Sequence, residues 1–284
     1  MKEVIKDIYD MIDDGMVPGD EWCNELASKL SAMLKARLSE PNEREPALRL
    51  SSMGRGERYL YFTMHDVPKE ELRPEVRIKF LFGDIIEELF ISLIKLSGHD
   101  VSHEQEEVEL NGVKGHIDCL VDGKLVDIKS ASSFSFNKFE SGKLYEDDPF
   151  GYYAQLAAYE QASGYEAEGW FVMDKQLGKL CFSKAQQFAM PNMAEKIDRV
   201  KEMLASGVIP ERCDTDKPFQ SSGNRQLKPI CSYCQFKQHC WRDCNQGHGL
   251  RVFLYSNGPV FLTHVARLPK VPEITTKAFG GNDE

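Results

Sequence analysis

Gly115-His116-Ile117-Asp118-Cys119-Leu120-Val121-Asp122-Gly123-Lys124-Leu125-Val126-Asp127-Ile128-Lys129 is the stretch on which the fold turns. Asp-Gly between two apolar-rich runs is a strong hairpin signal, because both residues accept the positive φ angles of a turn that matches strand twist. With Asp122 and Gly123 as the turn, Val121 pairs with Lys124, Leu120 with Leu125, Cys119 with Val126 and Asp118 with Asp127. One face then carries Ile117, Cys119, Val121, Val126 and Ile128, the surface that a core helix covers. The other face sets two carboxylates opposite each other, with Lys129 two residues along. Like charges directly opposed across strands are destabilising, so an acidic pair in a sound strand pattern calls for a cation. Two hard oxygen donors suit Mg2+ or Mn2+ better than zinc. Such an ion binds a phosphate oxygen and acidifies its water, while a neighbouring ammonium orients the nucleophile and offsets developing charge. That is the chemistry of phosphodiester hydrolysis. The plainer alternative is one solvated Asp and an ordinary ion pair at Lys129.

Working outward, the upstream chain reads as helices. Val4, Ile5, Ile8, Met11 and Ile12 recur at helical spacing before Gly15, and Trp22, Leu26, Leu30, Met33 and Leu34 do so towards Leu38. Pro74 opens a longer helix through Val76, Phe80, Ile85, Ile86, Leu89, Phe90 and Ile94, ended by Gly98. Being apolar over most of its circumference, that helix is expected to be buried. Downstream, residues 131–149 show no clear period and read as a long loop. Tyr152–Ala162 and Met193–Ala205 read as helices, Gly169–Met173 and Lys179–Phe182 as strands. A final hairpin, Arg251–Tyr255 and Val260–Val265, closes around Asn257-Gly258. The expected class is α+β, with a short mixed sheet flanked by helices. The expected divisions are an N-terminal helical region 1–73, a core 74–206, and a cysteine-rich segment with the hairpin, 207–284.

Composition fits a globular protein: 284 residues, 42% hydrophobic and 28% charged, with a net charge of −10. No apolar run approaches the roughly 18 to 20 residues of a membrane span, and the N-terminus lacks the apolar stretch of a signal peptide. A reducing cytoplasm is therefore the expected location, with no membrane partner, and eight cysteines need a reason other than disulfides. From Lys175 onward there are 16 Lys and Arg against 10 Asp and Glu, so a basic C-terminal portion follows an acidic N-terminal one.

Gly115-His116-Ile117-Asp118 followed by Asp127-Ile128-Lys129 resembles the GxxD and D-x-K strands of the PD-(D/E)XK nuclease superfamily, in its RecB-like and Cas4-like exonuclease branch. Phe82-Gly83-Asp84-Ile85-Ile86-Glu87 looks like that branch's first motif, a helix with Gly followed four residues later by His or Glu. Gln155-Leu156-Ala157-Ala158-Tyr159 matches its Q-x-x-x-Y helix, and this spacing puts both side chains on one face. The motifs stand in family order over residues 83–159. The resemblance implies a restriction-endonuclease-like α/β/α core, with Glu87, Asp118, Asp127 and the Ile128 carbonyl around the metals and Lys129 near the attacking water. It further implies that Gln155 and Tyr159 position the motif strand or the DNA backbone.

Cys231-Ser-Tyr-Cys234 followed by Cys240 is a C-x2-C-x5-C cluster, a strong metal signal. Cys213, separated from Cys231 by 17 residues, offers a fourth ligand compatible with a closed four-cysteine zinc site. Cys244 and His239 are substitutes for one ligand, and Cys119 and Cys181 read as core residues. The cluster is also similar to the three-cysteine cluster that in Cas4-like relatives joins an upstream cysteine around a 4Fe-4S iron–sulfur cluster. Here the segment ahead of the first motif, Ser51 to Tyr59, has no cysteine. Zinc is the favoured occupant, the iron–sulfur cluster the alternative, and the expected role is structural.

Between residues 131 and 145, Phe134, Phe136, Phe139 and Tyr145 alternate with Lys138 and Lys143, a mixture that suits single-strand binding. Arg55 and Arg58 are further phosphate candidates. The leading expectation is a metal-dependent DNA exonuclease on single-stranded or end-processed DNA, in a phage or mobile-element setting that rests on the resemblance. A structure-specific endonuclease and a non-catalytic nucleic-acid-binding module are the alternatives. With no G-x-x-x-x-G-K-[ST] sequence, any unwinding is left to a helicase or recombination partner.

Overall fold

The computed structural model describes residues 1–39, 45–71 and 74–274. The helices are α1 (Lys2–Asp13), α2 (Asp20–Ser39), α3 (Glu57–Met64), α4 (Pro74–Leu96), α5 (Ser133–Glu140), α6 (Tyr152–Ser163) and α7 (Met193–Ser206), then three four-residue helices, α8 (Pro229–Ser232), α9 (Lys237–Cys240) and α10 (Cys244–Gly247). The strands are β1 (Val101–Ser102), β2 (Glu107–Leu110), β3 (Val113–His116), β4 (Cys119–Val121), β5 (Lys124–Ala131), β6 (Ala167–Asp174), β7 (Leu180–Lys184), β8 (Lys217–Phe219), β9 (Asn224–Gln226), β10 (Arg251–Tyr255), β11 (Gly258–His264) and β12 (Glu273–Ile274).

Residues 1–54 and 78–201 form one compact unit; residues 55–77 and 202–284 form another. This division differs from the expected one. The N-terminal helices belong to the first unit, while α3 joins the cysteine-rich segment. The boundary expected at residue 73 lies outside the described residues.

The first unit is an α+β sandwich consistent with a restriction-endonuclease-like core. Its sheet runs β1-β4-β5-β6-β7. Only β5 and β6 are parallel, and the connection between them carries α5 and α6, as a parallel crossover requires. The β4–β5 hairpin has the expected register, Cys119 with Val126 and Val121 with Lys124. Its turn residues have φ of 48° at Asp122 and 76° at Gly123, which favour Asn, Asp and Gly. One sheet face packs Cys119, Val121, Val126, Ile128 and Phe171 against Val4 and Ile8 of α1 and Phe90, Ile91 and Ile94 of α4. The other carries Trp170, whose ring meets Phe139 of α5 at 6.1 Å and Tyr153 of α6 at 4.9 Å.

Three expectations need correction. The first arm of the hairpin, expected as a single strand from Gly115 to Val121, is broken: β3 pairs with β2, β4 joins the main sheet, and the chain changes sheets at Ile117-Asp118. The long loop contains a helix, α5, which Ser132 caps by accepting from Ser135 N. Its apolar side chains Phe136 and Phe139 are 1% and 2% exposed. Phe136 is therefore a core residue and offers no ring to DNA. Finally, α4 is buried only in its second half, while Ile78, Phe80 and Phe82 are at least half exposed.

The second unit has an all-antiparallel sheet, β12-β10-β11-β9-β8. Leu227, Trp241, Leu250, Val252 and Phe261 make one cluster with Cys231, Cys240 and Cys244 against it. Tyr61 and Phe62 of α3 and Phe236 make another, against which Cys234 and Cys240 pack. Among the described residues, no helix is long and apolar enough to cross a membrane.

Candidate active site

Asp118 stands at the sheet-switching corner, where its carbonyl accepts from Gln105 N at 3.1 Å. The regular ladder stops one residue short of it. Its side chain reaches across instead, Oδ2 accepting from Ile128 N at 2.6 Å. Asp127, in the middle of β5, is 1% exposed. Lys129 Nζ lies 2.6 Å from Asp127 Oδ2, yet neither Asp127 oxygen accepts a hydrogen bond of good geometry. Tyr152 covers the amine, its ring centroid 5.7 Å from Lys129 Nζ. Glu87 enters from α4, Oε1 accepting from Gln105 Nε2 at 2.6 Å.

The electrostatics follow from crowding acids out of water. Burial first, then the Asp127 charge, pushes the Asp118 carboxyl up to about 7. Burial, then Asp118, pushes Glu87 up to about 9. Burial also raises Asp127, with Lys129 opposing. The Lys129 ammonium is held charged against burial by Asp127 and Asp118.

Gln155 and Tyr159 lie on α6, with Gln155 Nε2 3.2 Å from Tyr159 Oη. A Cβ added at Gly115 would lie 3.0 Å from Tyr159 Cε1 and 2.8 Å from Leu50 Cβ. The glycine of the motif is thus needed because a tyrosine ring and a leucine press on the strand that leads to Asp118. The N-terminus of α6 is held by Asp148, whose carboxylate accepts from Gly151, Tyr152 and Tyr153 N.

The structure therefore brings together Glu87, Asp118, Asp127, Lys129, Gln155 and Tyr159, and adds Gln105 and Tyr152. Gln105 sits in a turn with φ of 54° and leaves no pattern in the sequence. Tyr152 had a signal, since it stands on the same helix as Gln155, one turn earlier.

Among the described residues, no three His, Cys, Asp or Glu side chains are already gathered to hold an ion. Each carboxylate instead leans on a protein group, respectively Gln105, the Ile128 amide and Lys129. The donors nonetheless suit a hard divalent cation: three carboxyl groups lie within reach of one another's charge, burial raises all three, and buried Asp127 Oδ1 has no partner. Glu87, Asp118, Asp127 and the Ile128 carbonyl are the groups that can hold it.

In the second unit, Cys213, Cys231, Cys234 and Cys240 line one cavity of about 50 Å3 with Arg55, Arg58, Tyr59, Phe62 and Trp241. Cys244 and His239 are not among its walls. Burial first, then neighbouring Cys234, pushes the Cys231 thiol up to about 12; burial likewise raises Cys234 and Cys240, while Arg55 lowers the former and Arg58 the latter. Arg58 Nε is buried without a partner, so positive charge faces the thiols, as a thiolate-bound group would need. Sulfur donors fit zinc and an iron–sulfur cluster alike.

Arg55 and Arg58, expected on phosphates, thus stand at the cysteines. Arg55 lies over the Tyr59 ring at 4.5 Å, and Arg58 over Phe62 at 5.2 Å, donating to Pro210 O. Lys138 is bound to Asp147 and lies over the exposed Phe134 ring at 5.5 Å. Lys143 is exposed.

The sequence matches no family model and no curated protein. Several solved structures resemble the fold, two of them as follows. The protein SSO0001 shares 16% identity with a TM-score of 0.39, over 74% of this chain and 93% of its own. An alkaline exonuclease, LHK-Exo from Laribacter hongkongensis, shares 16% identity with a TM-score of 0.32, over 73% of this chain and 94% of its own. At such scores neither likeness bears on what this chain does.

Proposed function

We propose that the chain is a metal-dependent deoxyribonuclease of the PD-(D/E)XK type, working as an exonuclease on single-stranded or end-processed DNA. The observation that carries this reading is the Asp118, Asp127 and Lys129 set on adjoining strands, Asp127 buried and the other two half-buried, with Glu87 facing it from α4. A fold does not keep two crowded acids and a half-buried amine for stability, since such a site is expensive without a cation.

Mg2+ or Mn2+ held by Glu87, Asp118, Asp127 and the Ile128 carbonyl supplies an acidified water and a contact for a phosphate oxygen. Lys129, fixed by Asp127 and the Tyr152 ring, orients the attacking water and offsets the charge that builds on the phosphate. Gln155 and Tyr159 hold the Gly115–Asp118 segment in place. Zn2+, or alternatively a 4Fe-4S cluster, at Cys213, Cys231, Cys234 and Cys240 ties the second unit together as a structural site. A cytoplasmic setting and a helicase or recombination partner complete the reading.

The test is 5′- and 3′-labelled linear single-stranded DNA with Mg2+, Mn2+ or EDTA, run beside Asp127→Ala. Metal-dependent laddering from one end, lost in the variant, is expected. Cutting of covalently closed single-stranded circles would make it an endonuclease instead; DNA binding without cleavage under either metal would leave a non-catalytic binding module.

A further inference from the structure

From Glu87 back along α4, Gly83 lies one helical turn away and Lys79 two, about 12 Å of helix axis in all. At Gly83 the helix passes close to β5, where an added Cβ would lie 3.7 Å from Ser130 Oγ. Lys175 follows β6 and donates its backbone N–H to Ala131 O at 3.0 Å, so it emerges beside the end of the strand that carries Asp127 and Lys129. Lys79 and Lys175 are accordingly neighbours, and both are exposed. Burial first, and the Lys79 charge second, hold the Lys175 amine below the usual lysine range. Several other lysines of this unit are partnered, among them Lys124 with Glu166, Lys138 with Asp147 and Lys184 with Glu168. Among the described residues, no carboxylate forms an ion pair with Lys79 or Lys175.

The surface continues past Lys175. Ser133 N and Oγ both donate to Gln176 Oε1, at 3.2 and 2.8 Å, which ties the start of α5 to the residue after Lys175. The next side chain is Phe134, 77% exposed, on a helix that Phe136 and Phe139 anchor in the core. A rigidly presented, exposed aromatic beside an unneutralised pair of amines is the combination that holds a single strand, with phosphate on the cations and a base on the ring.

We propose that Lys79 and Lys175 clasp a backbone phosphate of the substrate strand a few nucleotides from the carboxylates, and that Phe134 stacks on a base beyond it. This rests on the nuclease reading, and places the bound strand along the line from Glu87 past Gly83 and Ser130.

The experiment is a salt titration of fluorescent single-stranded DNA binding to the intact chain in EDTA. Lys79→Ala and Lys175→Ala are each expected to lower the slope of log K against log salt by about 0.7, and the double variant by about 1.4. Lys79→Arg with Lys175→Arg is expected to restore it. Lys124→Ala, at the far end of β5, is expected to change nothing. Phe134→Ala is expected to weaken binding about tenfold on an intact strand and not on one with abasic linkers. Melting curves exclude unfolded variants. An unchanged slope in the folded double variant, with DNA still bound, overturns the clasp and leaves the nuclease reading standing. Neither binding nor metal-dependent cleavage by the unaltered chain overturns both.

Discussion

Asp118 Oδ2 accepts the Ile128 amide at 2.6 Å, so one acid of the crowded pair also bonds the backbone of the strand that bears the other. This gives the two aspartates opposite structural weights although they sit side by side.

Asp118→Asn keeps an oxygen for the Ile128 amide and removes a charge that burial disfavours. Its melting temperature in EDTA is expected to equal or exceed that of the unaltered protein. Asp127→Asn strips the half-buried Lys129 ammonium of its nearest counter-charge and is expected to destabilise by up to about 3 kcal/mol. Urea denaturation of both measures the contrast; equal losses would refute it.

A pH dependence follows from the raised acids. Asp118 moves from 3.8 to about 7 and Glu87 from 4.5 to about 9, so in this range the folded state holds protons the unfolded chain has released. Stability from these groups is present below the unfolded values and is lost as pH rises through about 7 and then 9. Melting temperature in EDTA is expected to fall from pH 5 to 9, and Mg2+ to flatten the fall. Asp118→Asn is expected to remove its lower part.

Gly115→Ala drives a methyl against Leu50 and Tyr159 and is expected to cost about 1–3 kcal/mol, with loss of cleavage through displacement of Asp118. Tyr159→Phe keeps the ring against the glycine and is expected to cost about 1 kcal/mol for the hydroxyl's contact with Gln155. Thermal melts beside cleavage assays separate the two.

Phe136→Ala is expected to destabilise by about 3–5 kcal/mol, where a binding residue would lose affinity at constant stability. Denaturation and DNA titration of the same sample decide it.

Cys234→Ser is expected to lose the bound metal found by elemental analysis, and Cys244→Ser to retain it, because only the former lines the cavity. A colourless protein with one zinc per chain identifies zinc; visible absorbance with iron and sulfide identifies the cluster. Full metal content in Cys234→Ser would dismiss the site.

The sequence is most legible where structure is local. The Asp122-Gly123 turn, the alternation around it and the helical spacing of α1 and α7 each depend on neighbours along the chain, and the first two set the strand that carries Asp127 and Lys129. The α5 helix was hidden because Ser, Phe and Asn dilute its period, though Ser132 is a capping residue and Phe136 and Phe139 stand three apart. The apolar start of α4 misled in the other direction, since composition does not say which apolar residues remain exposed. The switch of sheets at Asp118 and the hold of Gln105 on Glu87 depend on pairings across the fold, which no local pattern records.

The second unit is assembled from two separated stretches, residues 55–77 and 202–284. On the ribosome, α3 emerges long before Phe236 exists to cover Tyr61 and Phe62. At about 5–20 residues per second the wait is on the order of ten seconds, during which those rings have to be sheltered by a chaperone or risk aggregation. The nascent chain can finish its first unit before the second, and the thiol cavity closes only once the chain up to Trp241 has been made.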